Sequence, residues 1–128
     1  MQDIMKHTVR SSVILTNAYV AGTVISDLGL KNQLIIIVDF TKGSLDSASI
    51  KIEFGYYDLQ GTPSYAQETF ENVSGGVATE TLGTHIFSAT GVYRIAIPLK
   101  DHSVKISAIG TGTVTNSLMA ISAISGVS

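Results

Sequence analysis

Two segments in the middle of the chain carry the clearest pattern of apolar and polar positions. Residues 34–38 are apolar at every position, whereas residues 48–56 alternate, with Ser49, Lys51 and Glu53 between apolar neighbours. Successive side chains of a strand point to opposite faces, so the first pattern predicts a strand that is apolar on both faces and the second a half-buried strand. The turn chemistry that joins the two strands lies at residues 41–44.

Shorter segments of the same kind continue along the rest of the chain, separated by clusters of Gly, Asn, Asp and Pro. No segment repeats apolar residues at helical spacing over three turns, and residues 77–88 fit either one bent strand or two short ones. Many short strands with regular turn signals predict an all-β protein, a two-sheet antiparallel β-sandwich with jelly-roll topology. The predicted strands cover residues 11–15, 18–26, 34–38, 48–56, 64–70, 77–88, 92–99, 103–109 and 116–125.

The chain divides into two parts where this strand pattern begins. Residues 1–10 mix charged and apolar side chains without a clear period, so we expect them to form an N-terminal arm. Residues 11–128 are expected to form the β-sandwich domain. Within it, Pro98 has no backbone N–H to donate to a neighbouring strand and predicts a strand end or a sheet edge.

Several strands carry apolar residues on the face that water would otherwise cover. A monomeric sandwich normally has a polar outer face, so surplus apolar residues predict contact with a neighbouring subunit. The alternative is that loops or the N-terminal arm of the same chain cover these apolar residues. We expect a homo-oligomer, with a trimer as the favoured form. The predicted oligomer or capsid contacts are Ile35, Ile37, Ile109, Leu118 and Ile124.

The composition narrows the class of partner. Charged residues make up 14% of the chain, against about 25% in a typical soluble domain. A weakly charged polar surface suits packing against protein, and the net charge of −2 gives no basic field for nucleic acid. The longest apolar run is far shorter than the ~20 residues of a membrane helix. We therefore expect protein partners, with no nucleic acid and no membrane.

The residues that could carry chemistry form no recognisable pattern. His7, His85 and His102 lack metal-ligand spacing, and the chain has no cysteine for a zinc site or a thiol nucleophile. There is no GxSxG motif and no Walker lysine. Carboxylates could still meet in space, as in a glycosidase, but there is no Trp for an accompanying aromatic platform. The prediction is a protein that is not an enzyme, with no catalytic residues, no cofactor and no metal.

Two tyrosines suggest a candidate ligand surface. Tyr57 and Tyr65 flank a loop at residues 58–63, where Asp and Gln side chains are close in sequence. Exposed tyrosines beside such groups can form a sugar platform or a protein interface. The alternative function is therefore a carbohydrate-binding module or a receptor-binding β-sandwich.

Three segments together resemble a known family. They read LIIIVDFTKGSLDSASIKIEF at residues 34–54, TGVYRIAIPL at 90–99 and VKISAIGTGTVTNSLMAISAI at 104–124. Their order and their TKG, YRIAIP and GTGT elements are similar to those of small virion structural proteins of tailed bacteriophages. The resemblance implies a jelly-roll-like sandwich in a symmetric oligomer, attached to capsid or tail proteins. Its implied role is capsid decoration (cement) or another head or tail function, in a virion assembled in the host cytoplasm.

Overall fold

The computed structural model describes residues 2–26, 28, 31–57, 63–99 and 103–127, and the regular structure in these residues is all strand. The strands are β1 (Gln2–Val13), β2 (Val20–Ala21), β3 (Gln33–Thr41), β4 (Leu45–Tyr57), β5 (Pro63–Gln67), β6 (Thr69–Ser74), β7 (Val77–Leu82), β8 (Thr84–Phe87), β9 (Gly91–Pro98), β10 (Ser103–Gly112) and β11 (Leu118–Val127).

Two antiparallel sheets form the sandwich. The first sheet has the order β1-β11-β3-β9. In the second sheet β10 lies between β2 and β4, and the far side of β4 is shared by two short strands. Of these, β5 pairs with residues 53–57 of β4 and β8 pairs with residues 48–51.

A hairpin made of β6 and β7 separates β5 from β8. Where it leaves the sheet, the Glu68 amide donates to the carbonyl of Ile52 at 2.7 Å, and the Gly83 amide donates to the carbonyl of Glu68, also at 2.7 Å. Gly75 and Gly76 make its tip, with φ of 59° and 79°, as a two-residue hairpin turn of the I′ type requires. Strands β5 and β8 are therefore one edge strand into which a hairpin is inserted.

With β5 and β8 counted as one strand, the pairing is that of a jelly roll. The first strand pairs with the last, β1 with β11, and the nesting continues with β2 and β10, β3 and β9, and β4 with β5 and β8. The chain crosses from one sheet to the other at every connection except that between β4 and β5. Eight strands in two Greek keys have this order. The predicted two-sheet antiparallel jelly roll is confirmed.

The core lies between the inner faces of the two sheets. On β3, the even-numbered residues are almost completely buried, as the alternation predicts. Phe87 lies 4.7 Å from Tyr93 and 6.2 Å from Phe40, ring centre to ring centre. Burying each large aliphatic side chain contributes about 1.5–3 kcal/mol. The buried apolar residues are Val9, Leu15, Ile25, Leu28, Leu34, Ile36, Val38, Phe40, Leu45, Ala48, Ile50, Ile52, Phe54, Phe87, Ile97, Val104, Ile106, Ala108, Met119, Ile121 and Ala123.

The segment expected to be an N-terminal arm lies, from Gln2 onward, in the edge strand β1. This strand pairs with β11, but the register shifts between Gln2 and Met5, between Thr8 and Arg10, and between Arg10 and Val13. Bulges of this kind break the two-residue alternation of side chains. The boundary placed after residue 10 therefore falls inside a strand whose sequence shows no clear period.

The segment predicted as a strand at residues 18–26 is paired only at β2 and by a single bridge from Ile25 to β10. After β2, successive backbone amides of this segment donate hydrogen bonds to different strands. Gly22 donates to β10 at 3.0 Å, and Thr23 donates to the carbonyl of Val9 in β1 at 2.8 Å. The segment thus links the edges of the two sheets. A Cβ at Gly22 would lie 2.7 Å from the Val9 side chain, so the close approach requires glycine.

Turns from several parts of the chain meet at one end of the sandwich. Gly43, in the turn after β3, has a φ of 55° and packs against the backbone of Asn116. Gly112 has a φ of 98° and lies against Asp46. The Asn17 amide donates to the carbonyls of Gly110 and Gly112 at 2.9 and 3.0 Å. Strand β10 continues to Gly112, three residues beyond the end of the strand predicted at residues 103–109.

Candidate functional site

An apolar row crosses the outer face of the first sheet. Ile35 of β3 lies opposite Ile124 of β11 on one side and Ala96 of β9 on the other. Ile37 shares this face two residues further along β3, and the three isoleucines are half-buried. We refer to Ile35, Ile37, Ala96 and Ile124 as the outer apolar patch. It is separate from the core, which the opposite face of the same strands fills.

Cations flank the outer apolar patch. Lys6 of β1 lies opposite Ile124, and Arg94 of β9 lies opposite Ile37. Both side chains are exposed, and within the described residues neither forms an ion pair. An apolar centre with a polar rim is the usual anatomy of a protein–protein interface.

A depression of about 320 Å³ opens on this face beside β1. Its volume is at the lower limit of small-molecule sites, which run from about 300 to 1,000 Å³. It offers an apolar wall with one cation at its rim, which suits a protruding side chain of a neighbouring protein. The depression is lined by Lys6, His7, Thr8, Ile37, Ser122, Ala123 and Ile124.

The structure brings together only some of the predicted contact residues. Ile35, Ile37 and Ile124 are adjacent in the outer apolar patch. Leu118 lies at the start of β11, opposite Thr41, and is 40% exposed. Ile109 is on the other sheet, in β10. Leu118 is thus at the end of the first sheet, and Ile109 is on the opposite side of the molecule's core.

The outer face of the second sheet carries a charged cluster. Lys51 and Lys105 both approach the same oxygen of Glu53, with Nζ–Oε1 distances of 3.8 and 3.9 Å. The Lys51 ammonium lies 4.6 Å from the centre of the Tyr19 ring, and the Lys105 ammonium 4.3 Å from that of Tyr65. We refer to these five residues as the lysine–tyrosine cluster.

Of the two tyrosines predicted to form a ligand surface, the structure describes the side chain of Tyr65. Tyr65 is half-buried and lies across from Gly55, where a Cβ would come within 2.8 Å of its ring. A ring that covers a cross-strand glycine is held in place by it. The side chain of Tyr57 lies outside the described residues.

Sequence reasoning missed the lysine–tyrosine cluster. The sequence does show that Lys51 and Glu53 lie on the same, outward face of β4, and this is the one sign of the cluster that it contains. Lys105 joins them because residue 105 of β10 pairs with residue 53 of β4. That register cannot be read from either strand by itself.

His7 and His85 lie in different sheets, in β1 and β8. The His7 Nε2 atom is 2.9 Å from Ser125 Oγ, and burial lowers the pKa of His7 below its ordinary value. His85 Nε2 lies 3.2 Å from Glu68 Oε1, at the base of the inserted hairpin. His102 lies outside the described residues. In the part of the chain that the structure describes, no three His, Asp or Glu side chains are placed to hold a metal ion.

Among the described residues, no helix is long and apolar enough to cross a membrane. No protein-family model matches the chain, and no curated protein matches it. Among solved structures, the chain is similar to a chain in the structure of infectious bursal disease virus, Gt strain, with a TM-score of 0.33 and 13% identity over 96% of this chain. It spans 32% of that longer chain. A likeness at this TM-score is weak and carries no argument about function.

Proposed function

We propose that this chain is a non-enzymatic structural protein of a tailed-bacteriophage virion, which decorates and stabilises the capsid as a cement protein. The observation that carries the proposal is the outer apolar patch, because its isoleucines are half-buried on the outside of a jelly roll whose core is complete without them. Jelly rolls are a common architecture of viral capsid domains, which is an analogy of fold. The resemblance of the TKG, YRIAIP and GTGT segments to virion proteins supports the same role.

A cement protein works by removing surface from water between its neighbours. A specific interface buries at least ~1,000 Å² in total. The outer apolar patch supplies the apolar centre of such a contact, while Lys6 and Arg94 at its rim favour an acidic partner surface and fix orientation. Many copies on one lattice act together, so each contact can be weak.

The proposed assembly is a homo-oligomer, with a trimer as its favoured form, that contacts capsid or tail proteins in the virion. It needs neither nucleic acid nor membrane. In a closed trimer each interface joins two different surfaces. A second apolar surface is present on the second sheet, where Ile109 and Ile86 lie on either side of Ser49 and Ile86 is 66% exposed.

The proposal is tested on virions of the phage that encodes the chain. Antibody labelling and quantitative mass spectrometry of purified particles should find many surface copies. An Ile35→Asp variant should be incorporated poorly, whereas Thr115→Asp, an exposed turn position, should be incorporated normally. Absence of the chain from purified particles would overturn the proposal.

A further inference from the structure

The lysine–tyrosine cluster places two cations around one anion. Lys51 and Lys105 have side-chain exposures of 29% and 28%, and the shared carboxylate of Glu53 is 16% exposed. Two ammonium groups against one carboxylate leave an excess positive charge. Because the groups are partly withdrawn from water, this charge is screened less than that of a fully exposed lysine.

The N–H donors of both ammonium groups are available. At 3.8 and 3.9 Å, the contacts to Glu53 are longer than the 2.7–3.2 Å of a hydrogen bond. Within the described residues neither ammonium donates a hydrogen bond to the protein. An oxyanion between the two lysines would accept charge-assisted hydrogen bonds from both, which are among the strongest in proteins.

The tyrosines hold the two ammonium groups in position. A cation within about 6 Å of a ring centre is attracted to the ring face, and both lysines meet this condition. Tyr65 is itself fixed over Gly55. Tyr19 remains 40% exposed and offers ring surface and a hydroxyl beside Lys51. Exposed tyrosine rings are well suited to sugar faces.

The three charged residues of the cluster lie on the two inner strands of the second sheet, β4 and β10. Glu53 and Lys105 are directly paired across β4 and β10, and Ser107 pairs with Lys51 one step further along. Sites on central strands hold their geometry better than sites on loops. Ser103 and Ser107 lie two residues from Lys105 on either side along β10.

We propose that the lysine–tyrosine cluster binds an acidic saccharide. Its oxyanion, a carboxylate or a sulfate ester on the sugar, lies between the Lys51 and Lys105 ammonium groups, and the sugar ring lies against Tyr19. This binding site is on the sheet opposite the outer apolar patch and does not depend on the proposed role in the capsid. A virion protein with this site would attach its particle to acidic glycans.

The test is a titration of the full chain at low ionic strength, followed by two-dimensional NMR. The probes are 3′-sialyllactose for the carboxylate, galactose 6-sulfate for the sulfate ester, lactose as the neutral sugar and sodium sulfate as the free anion. We expect saturable shifts at Lys51, Lys105 and Tyr19 with at least one acidic sugar. Lactose and sodium sulfate should each bind at least about tenfold more weakly.

Four variants locate the binding. Lys51→Gln and Lys105→Gln should each weaken the acidic sugar at least about tenfold, the loss expected for one charge-assisted hydrogen bond. Lys6→Gln removes the same charge from the opposite sheet and should bind like the wild type. Glu53→Gln removes the competing carboxylate and should bind more tightly.

Each alternative outcome contradicts the proposal. If neither acidic sugar binds, the proposed saccharide site does not exist. Equal binding of sodium sulfate shows a plain anion site with no sugar recognition. Equal loss in Lys6→Gln and Lys105→Gln shows that net charge alone drives the association, and weaker binding by Glu53→Gln contradicts the role given to the excess charge.

Discussion

Ile35 and Ile124 lie directly opposite each other across the β3–β11 pairing, on the outer side of the sandwich. On β3, the residues before and after Ile35 are Leu34 and Ile36, which point inward and are completely buried, at 0% exposure. One strand therefore carries two sets of large aliphatic side chains. The inner set fills the core, and the outer set is available to a partner.

This arrangement predicts that assembly and folding can be separated by mutation. Ile35→Asp should raise the dissociation constant of the oligomer at least tenfold, because a charge enters the apolar centre of the contact. The free energy of unfolding of the protomer should fall by about 1–2 kcal/mol only, because the Ile35 side chain is half-buried and lies outside the core. Ile37→Asp should behave in the same way. Urea unfolding and native mass measure the two effects.

The matched control is Ile36→Asp, one position along the same strand. Its carboxylate would be buried without a partner, so the free energy of unfolding should fall by more than about 4 kcal/mol. Equal destabilisation by Ile35→Asp and Ile36→Asp would show that Ile35 belongs to the core of its own protomer.

Ser117 is predicted to stabilise the end of the sandwich where the turns meet. Its hydroxyl accepts a hydrogen bond from the Leu15 amide at 3.2 Å and donates one to the carbonyl of Val114 at 2.6 Å, and the residue is fully buried. Ser117→Ala leaves both backbone groups without this partner and should cost about 1–3 kcal/mol in urea unfolding. Ser44→Ala, which loses one exposed contact of 3.5 Å to Asn116, should cost almost nothing. Equal costs for the two variants would contradict the role of Ser117.

Gly43 is predicted to tolerate no side chain. Its φ of 55° lies in the left-handed region, and a Cβ there would collide with the Asn116 backbone. Gly43→Ala should cost about 2–4 kcal/mol from strain together with the displaced turn. Gly75 has a similar φ of 59° with open space around it, so Gly75→Ala should cost about 1 kcal/mol. Chemical denaturation of both variants is the measurement, and equal costs would mean that the contact with Asn116 is unimportant.

The lowered pKa of His7 predicts a pH dependence of stability. Burial disfavours the charged imidazole, so the unfolded chain binds the proton more readily than the folded chain. The stability from neutral His7 is complete above the ordinary value of 6.5 and is lost as the pH falls through the lower folded-state value. The urea midpoint of the wild type should drop between pH 7.5 and 5, and His7→Gln should drop less. The same pH profile in both proteins would contradict this.

The sequence predicted which face of a strand each residue lies on better than it predicted which strands lie next to each other. The alternation in β3 and β4 correctly separates inward from outward positions, because the two-residue period is a property of a single strand. It cannot say which sheet a strand joins. Ile109 was therefore grouped with Ile35 although β10 and β3 belong to different sheets. The jelly-roll topology was predicted from strand number and turn spacing, and the nested pairing confirms it.

Two further features could not be predicted from the sequence and are seen only in the structure. The bulges of β1 remove the periodicity that would have identified residues 2–10 as a strand. The lysine–tyrosine cluster depends on the pairing of Glu53 with Lys105, residues that are distant in sequence. Pro98, by contrast, was predictable from chemistry alone. A residue without an N–H ends β9, which is an edge strand of the first sheet.

We propose that the outer apolar patch is a contact between copies of this chain. The most direct measurement is the native mass by light scattering behind a sizing column, for the wild type and for Ile35→Asp. We expect the wild type to be a stable multiple of the 13.5 kDa protomer, with three copies favoured, and Ile35→Asp to be a folded monomer. A wild type that remains monomeric at every concentration tested, with the same mass as Ile35→Asp, would contradict it.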